Sequence, residues 1–126
     1  MTANTKPTVF IVDDDPDMRL LFRLTLESVG EGAEVVGELG DAAEAIALFV
    51  AQEPPDIVIL DSGLPGVGYL ELATAMLNVN PGQQIVMTSI LVTPELETQA
   101  EVVGIHTCID KRDFGRLPQL VADLRT

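Results

Sequence analysis

The stretch Asp56-Ile57-Val58-Ile59-Leu60-Asp61-Ser62-Gly63-Leu64-Pro65-Gly66 decides the fold. Four consecutive apolar residues, two Ile and one Val among them, are too few to build a helix with a buried stripe. They suit a strand covered on both faces, as in a parallel sheet flanked by helices. The run ends on an acid, and the Gly and Pro that follow stop regular continuation. An acid at the carboxyl end of a central parallel strand stands where open α/β sheets place their chemistry. Alone, Asp61 could equally cap the strand and solvate a turn.

Working outward, the same signature recurs. Thr8-Val9-Phe10-Ile11-Val12 is a second β-type run, and it ends in Asp13, Asp14 and Asp15. Pro16 and Asp17 then open a helix, with proline in the first turn and acids at the positive end of the dipole. Its stripe is Met18, Leu21, Phe22, Thr25, Leu26 and Val29, Gly30 is its stop, and Leu20 and Leu24 fall off the stripe. Ala33 to Leu39 reads as an edge strand because polar residues interrupt it. Asp41 and Glu44 form a capping box for a helix with Ala42, Ala45, Ile46 and Phe49 inward, which Pro54-Pro55 ends.

Beyond Asp61, a third helix is expected from about Tyr69 to Leu77, with Leu70, Ala73 and Leu77 inward. Gln84 to Ser89 makes the fourth strand. Thr93-Pro94-Glu95 starts a fourth helix that buries Leu96, Ala100 and Val103 and closes at Gly104. Ile105 to Ile109 is a short fifth strand leading to Asp110 and Lys111, and a last helix starts near Leu117-Pro118 with Leu120, Val121 and Leu124 inward. Five strands alternating with five helices over short connections call for an α/β, doubly wound parallel sheet.

At 126 residues the chain is expected to be one domain, residues 8–126, behind a flexible tail at 1–7. Its 20 acids and 7 bases give a formal charge of −13, which repels duplexes and anionic membranes and favours cations and basic partner surfaces. Cys108 is the only cysteine, so no internal disulfide forms and a reducing compartment fits. No signal-type apolar region or run of ~20 apolar residues is present. The expectation is a cytoplasmic chain, monomeric or weakly dimeric, that binds neither nucleic acid nor membrane.

In a parallel sheet every carboxyl end lies on one edge. The first, third, fourth and fifth strands therefore deliver Asp13 and Asp14, Asp61, Thr88 and Lys111 to a common rim. Three carboxylates there repel: at ~4 Å and an effective dielectric of 20, each pair costs about 4 kcal/mol before screening. Such a cluster either protonates one member or holds a hard cation. Oxygen-only donors point to Mg²⁺ or a similar ion such as Mn²⁺. Apart from Lys6, Lys111 is the only lysine. A cation, an ammonium and a threonine hydroxyl around one carboxylate form a cradle for a phosphoryl group.

This set, with Leu64-Pro65 after Asp61, resembles the receiver domain of response regulators, the phosphoacceptor half of two-component signalling. The resemblance covers residues 8–126 and implies a flavodoxin-like fold and a non-enzymatic switch. It implies that Asp61 accepts phosphate from a sensor histidine kinase or histidine phosphotransferase and that the change is read by a downstream protein or effector domain. Asp14, Asp61 and the Gly63 carbonyl would bind Mg²⁺, with Asp13 assisting through water; Lys111 and Thr88 would hold phosphoryl oxygens. Gly63 and Ile90 occupy the positions that tune phosphoryl lifetime, and Thr88, Ser89 and Cys108 the switch positions.

Four departures from the family pattern stand out. Arg112 replaces the proline after the lysine, so a trans, rearranged connection is expected. Cys108 replaces the switch aromatic, too small to act as a ring, so the signal is expected to leave through Ser89, Ile90, Leu91 and Val92. Tyr69 replaces a glycine, with Gly68 before it able to supply the same backbone freedom. Ser89 replaces the usual alanine. Two rival readings remain: a haloacid dehalogenase-type phosphohydrolase with Asp13 as nucleophile in an Asp-x-Asp pair with Asp15, and a pseudo-receiver that takes no phosphate. Gly66-Val67-Gly68 is a weak nucleotide-binding pattern, since it follows the third strand and lacks its last glycine.

Overall fold

The computed structural model describes residues 6–28, 32–64 and 68–125. Strands β1 (Thr8–Val12), β2 (Glu34–Leu39), β3 (Ile57–Asp61), β4 (Gln84–Ser89) and β5 (Thr107–Asp110) alternate with helices α1 (Pro16–Glu27), α2 (Ala42–Ala51), α3 (Tyr69–Val79), α4 (Pro94–Val103) and α5 (Leu117–Arg125). The strands form one parallel sheet in the order β2-β1-β3-β4-β5, the flavodoxin-like doubly wound order. The central strand β3 is buried at every position, as an unbroken aliphatic run requires, and β2 is an edge strand of mixed composition.

Side chains alternate across the sheet, and the two faces feed separate cores. Phe10, Val12, Val58, Leu60 and Met87 pack with Phe49, Leu72, Met76 and Ala100 beneath α2, α3 and α4. Val9, Ile11, Ile57, Ile59, Val86 and Ile109 pack with Phe22, Leu26, Leu117 and Val121 beneath α1 and α5. Leu20 and Leu24 are exposed, as their place off the α1 stripe requires.

The sequence expectations need several corrections. Helix α3 turns Tyr69, Leu72, Ala73 and Met76 fully inward, while Leu70 and Leu77 are only partly buried. Strand β5 starts at Thr107 rather than Ile105: Ile105 is buried but follows the α4 cap, where its N–H bonds Ala100 O. Helix α1 ends at Glu27, and the expected stop at Val29-Gly30 lies outside the described residues. Pro7, assigned to the tail, is buried, and its carbonyl accepts from Glu34 N–H. Gly68 has φ −67°, an ordinary value that uses none of glycine's freedom. Lys111 to Arg116 form a 3₁₀ helix instead of a loop, and no peptide bond among the described residues is cis.

Gly104 ends α4 with φ 101°, and its N–H donates to the carbonyls of Ala100 and Glu101. A Cβ there would lie 3.0 Å from Leu77 Cδ1. Gly104→Ala should therefore lower unfolding stability by about 1–2 kcal/mol, measured by urea titration.

Candidate functional site

Strand parity builds the site. Ile57 and Ile59 face the α1/α5 core, so Asp61 continues that face; Val9 and Ile11 extend to Asp13, Val86 to Thr88, and Ile109 to Lys111. Asp61 and Thr88 are register partners on adjacent strands. Four side chains thus reach one rim from one face because each strand is two-periodic and the register is fixed. The buried faces hold that register, since a one-residue slip would turn each apolar set to the opposite side.

The rim is tightly organised. The Lys111 ammonium lies 2.9 Å from Asp13 Oδ2 and 3.2 Å from Asp61 Oδ1. Asp61 Oδ1 also accepts the Gly63 N–H at 3.0 Å, while among the described residues no hydrogen bond engages its Oδ2. Asp13 Oδ1 accepts the Asp15 N–H at 2.9 Å, so both Asp13 oxygens are committed. Thr88 Oγ1 is buried without a hydrogen-bond partner. An unsatisfied buried hydroxyl costs about 1–3 kcal/mol, and this one stands at the same rim as Asp61.

Carboxylate oxygens of Asp13, Asp14 and Asp61 lie within 4.8 Å of one another, with Asp14 exposed and the other two buried. An all-oxygen set of this span, open on the Asp14 side to water, fits a small divalent cation such as Mg²⁺. Burial pushes the Asp61 carboxyl above its usual value and the Asp13 charge adds to the rise, outweighing Gly63 N–H and Lys111. Burial pulls on the Lys111 ammonium in the opposite sense to its final shift. Its hydrogen bond to Asp13 and the charges of Asp61 and Asp13 win, and its value ends above normal. The lysine is therefore a fixed positive charge wedged between two acids.

The remaining predicted residues sort by position. Gly63 lies beside Asp61, where a Cβ would sit 3.6 Å from Asp61 Oδ1. Ile90 is 83% exposed just past β4. Ser89 Oγ donates to Leu91 O and accepts from Leu91 N–H, which fixes the chain after Thr88. Cys108 packs against the α2/α3/α4 core, on the sheet face opposite Thr88, and burial pushes its thiol upward, aided by Glu97 and Glu101.

The roles of three residues in the structure were not expected from sequence. The Arg19 guanidinium donates to the Asp13 carbonyl at 2.6 Å and lies 3.6 Å from Glu38, bracing the strand end from α1. Asp110 Oδ1 accepts the Val92 N–H across β4 and β5, clasping the connection into α4. Tyr69 buries its hydroxyl without a partner. The scarcity of cations was a usable signal for Arg19; the other two depend on contacts that no local pattern encodes.

Comparison with known proteins agrees with this geometry. The family profile of the response regulator receiver domain matches residues 9–122. Among curated relatives, the protein-glutamate methylesterase/protein-glutamine glutaminase of Agrobacterium fabrum is 33% identical over 120 residues, covering 90% of this chain and 34% of the relative. The DNA-binding response regulator MtrA of Mycolicibacterium smegmatis is 30% identical over 121 residues, 93% of this chain and 48% of the relative. The chain thus spans between a third and a half of these relatives' length. Among solved structures, the signal receiver domain of the response regulator NarL from Mycobacterium tuberculosis superposes with a TM-score of 0.86 at 27% identity, covering 97% of this chain and 98% of that one.

The Asp61 shift has a definite sign in stability. Because the folded value is raised above the ordinary value of 3.8, the folded state holds the proton more tightly than the unfolded chain. Its stabilising share is complete below pH 3.8 and is lost as pH rises through the folded value. At neutral pH, Asp61→Asn should unfold at a higher temperature than wild type, by on the order of 1 kcal/mol or several degrees. The gap should close on acidification toward the unfolded value; calorimetry across that range measures it.

Proposed function

The chain belongs to the response regulator receiver domain family, a signalling domain of two-component systems, and from that premise we propose that it is a switch that takes a phosphoryl group on Asp61. One observation carries the reading: Asp61 Oδ1 is engaged by both Lys111 and Gly63 N–H, which leaves Oδ2 as the uncommitted nucleophile. The donor is a phosphohistidine of a sensor histidine kinase or histidine phosphotransferase. Oδ2 forms the new O–P bond as the donor's P–N bond breaks, and the leaving imidazole nitrogen keeps the electron pair and takes a proton. Lys111 holds a phosphoryl oxygen by charge, and Thr88 Oγ1, unpartnered beforehand, donates a hydrogen bond to another.

Asp13, Asp14 and Asp61 would hold Mg²⁺ or Mn²⁺, with the Gly63 carbonyl as a further ligand; when bound, the ion offsets charge on the entering phosphoryl group. A hydrolase reading with Asp13 as nucleophile is disfavoured by its two engaged oxygens and 1% exposure. Output leaves through the connection after Thr88, where exposed Ile90 and Leu91 precede the Asp110 clasp on Val92 N–H. Its reader is a downstream protein or an effector domain.

Incubation with acetyl phosphate and Mg²⁺ should add one phosphate to the intact mass; chelation should suppress the addition at least tenfold and Asp61→Asn should abolish it. An unchanged increase in that variant would place the acceptor elsewhere.

Neither Gly63 nor Ile90 can orient a water toward phosphorus, so the acyl phosphate should persist for many minutes. The open contact at Gly63 admits a side chain without a clash. Gly63→Asn or Ile90→Glu should shorten the lifetime severalfold, followed by mass spectrometry after donor removal; loss within seconds from wild type would contradict this.

A further inference from the structure

Of the three carboxylates that would hold a divalent cation, two are tied in place by contacts of their own. Asp13 accepts from Asp15 N–H and pairs with Lys111, and Asp61 accepts from Gly63 N–H and pairs with the same lysine. Asp14 is different. It is exposed, it stands between the end of β1 and the start of α1, and among the described residues no hydrogen bond or ion pair engages its carboxylate. Where that carboxylate points therefore depends on how its backbone is held.

One side chain holds it. Asp13 O is the carbonyl of the peptide that joins Asp13 to Asp14, and it accepts a hydrogen bond from Arg19 Nη1 at 2.6 Å. On the other side of residue 13, Asp13 N–H donates to the carbonyl of Leu39, the last residue of β2, at 3.0 Å. A peptide unit moves as a plane, so turning it would break the Arg19 bond and swing Asp14 Cα. The guanidinium is itself secured, with Nε 3.6 Å from Glu38 Oε1, and Glu38 also pairs with Arg23 at 2.7 Å. Gly40, just after β2, leaves the room. A Cβ there would lie 2.7 Å from Arg19 Nη1, 3.3 Å from Asp13 O and 3.3 Å from Asp14 Cα. Gly40 is not among the glycines with positive φ, so its contribution at this point is space.

Charge alone argues against a guanidinium here. A fixed cation near the acid cluster repels a second one, so Coulomb's law predicts that removing Arg19 tightens Mg²⁺ binding. Groups that orient metal ligands act in the opposite sense, and losing one weakens metal affinity by roughly 10–100-fold. We propose that Arg19 is a positioning residue for the cation site: by holding the Asp13–Asp14 peptide it aims Asp14 at the divalent ion, and Gly40 keeps the space in which it does so. The inference rests on the reading of Asp13, Asp14 and Asp61 as the Mg²⁺ site of the switch.

Calorimetric titration with Mg²⁺ tests it, on chains shown to be folded by a cooperative melt in EDTA. Arg19→Gln should raise the Mg²⁺ dissociation constant by about tenfold, against the Coulomb expectation. Gly40→Ala keeps the charge but crowds the guanidinium, and should weaken binding in the same direction; it decides the matter alone should Arg19→Gln fail to fold. Combining the two should add little to either, since both act through one contact. With acetyl phosphate, each variant should need more Mg²⁺ for half-maximal labelling yet reach the wild-type extent at saturation. An unchanged or tighter dissociation constant in Arg19→Gln, or wild-type affinity in Gly40→Ala, would overturn the positioning role and leave the phosphoacceptor intact. Additive losses in the double variant would overturn the shared contact. Failure of wild type to bind Mg²⁺ would overturn the cation site itself, and the inference with it.

Discussion

The contact between Lys111 and the two buried acids, 2.9 Å to Asp13 and 3.2 Å to Asp61, is the constraint around which the rest of the molecule is arranged. Two carboxylates this deeply buried cannot both carry charge without a cation between them, and the lysine reaches them only because β5 runs two strands away from β3 with its end flush with the others. Parallel alignment of four strand ends is thus a chemical requirement as much as a packing outcome. The aliphatic runs of β1, β3 and β4 supply the rigidity, since their residues are fully covered by helices on both faces.

Around that contact the chain spends its remaining polar interactions on holding strand ends in place. Arg19 ties the Asp13 carbonyl to Glu38, which also pairs with Arg23 at 2.7 Å, so α1 and β2 act together as a brace for β1. Asp110 does the corresponding work on the far side by anchoring Val92 to β5. Among the buried side-chain groups without a hydrogen-bond partner, Thr88 Oγ1 stands at the rim and Tyr69 OH at the start of α3.

Much of this was legible in the amino-acid order. An apolar run ending in polar residues specifies both a buried strand and the place of its last residue, and a parallel sheet puts all such ends on one edge, so β1, β3, β4 and the rim residues Asp13, Asp61, Thr88 and Lys111 follow from pattern. The inward face of α3 did not, because Tyr69, Leu70, Leu72, Ala73, Met76 and Leu77 offer apolar residues in more than one register, and only contact with the sheet chooses among them. Strand β5 was overextended for a related reason: Ile105 is as buried as any strand residue, but burial does not imply pairing. The 3₁₀ helix from Lys111 to Arg116 leaves no such signal, because Lys-Arg-Asp-Phe-Gly-Arg has one apolar side chain and an internal glycine.

The pairing of β1 with β3 has a consequence for the birth of the protein. Thr8 and Asp56 exchange two hydrogen bonds across a separation of 48 residues, and β1 has no neighbour on that side until β3 exists. Contacts this distant in sequence close late and slowly compared with those inside a helix. Lys111, needed to neutralise Asp13 and Asp61, comes later still on the growing chain. An incomplete polypeptide therefore has its acids before it has their counter-charge, and cannot assemble a responsive rim. The charge balance of the rim is therefore complete only once β5 has been made.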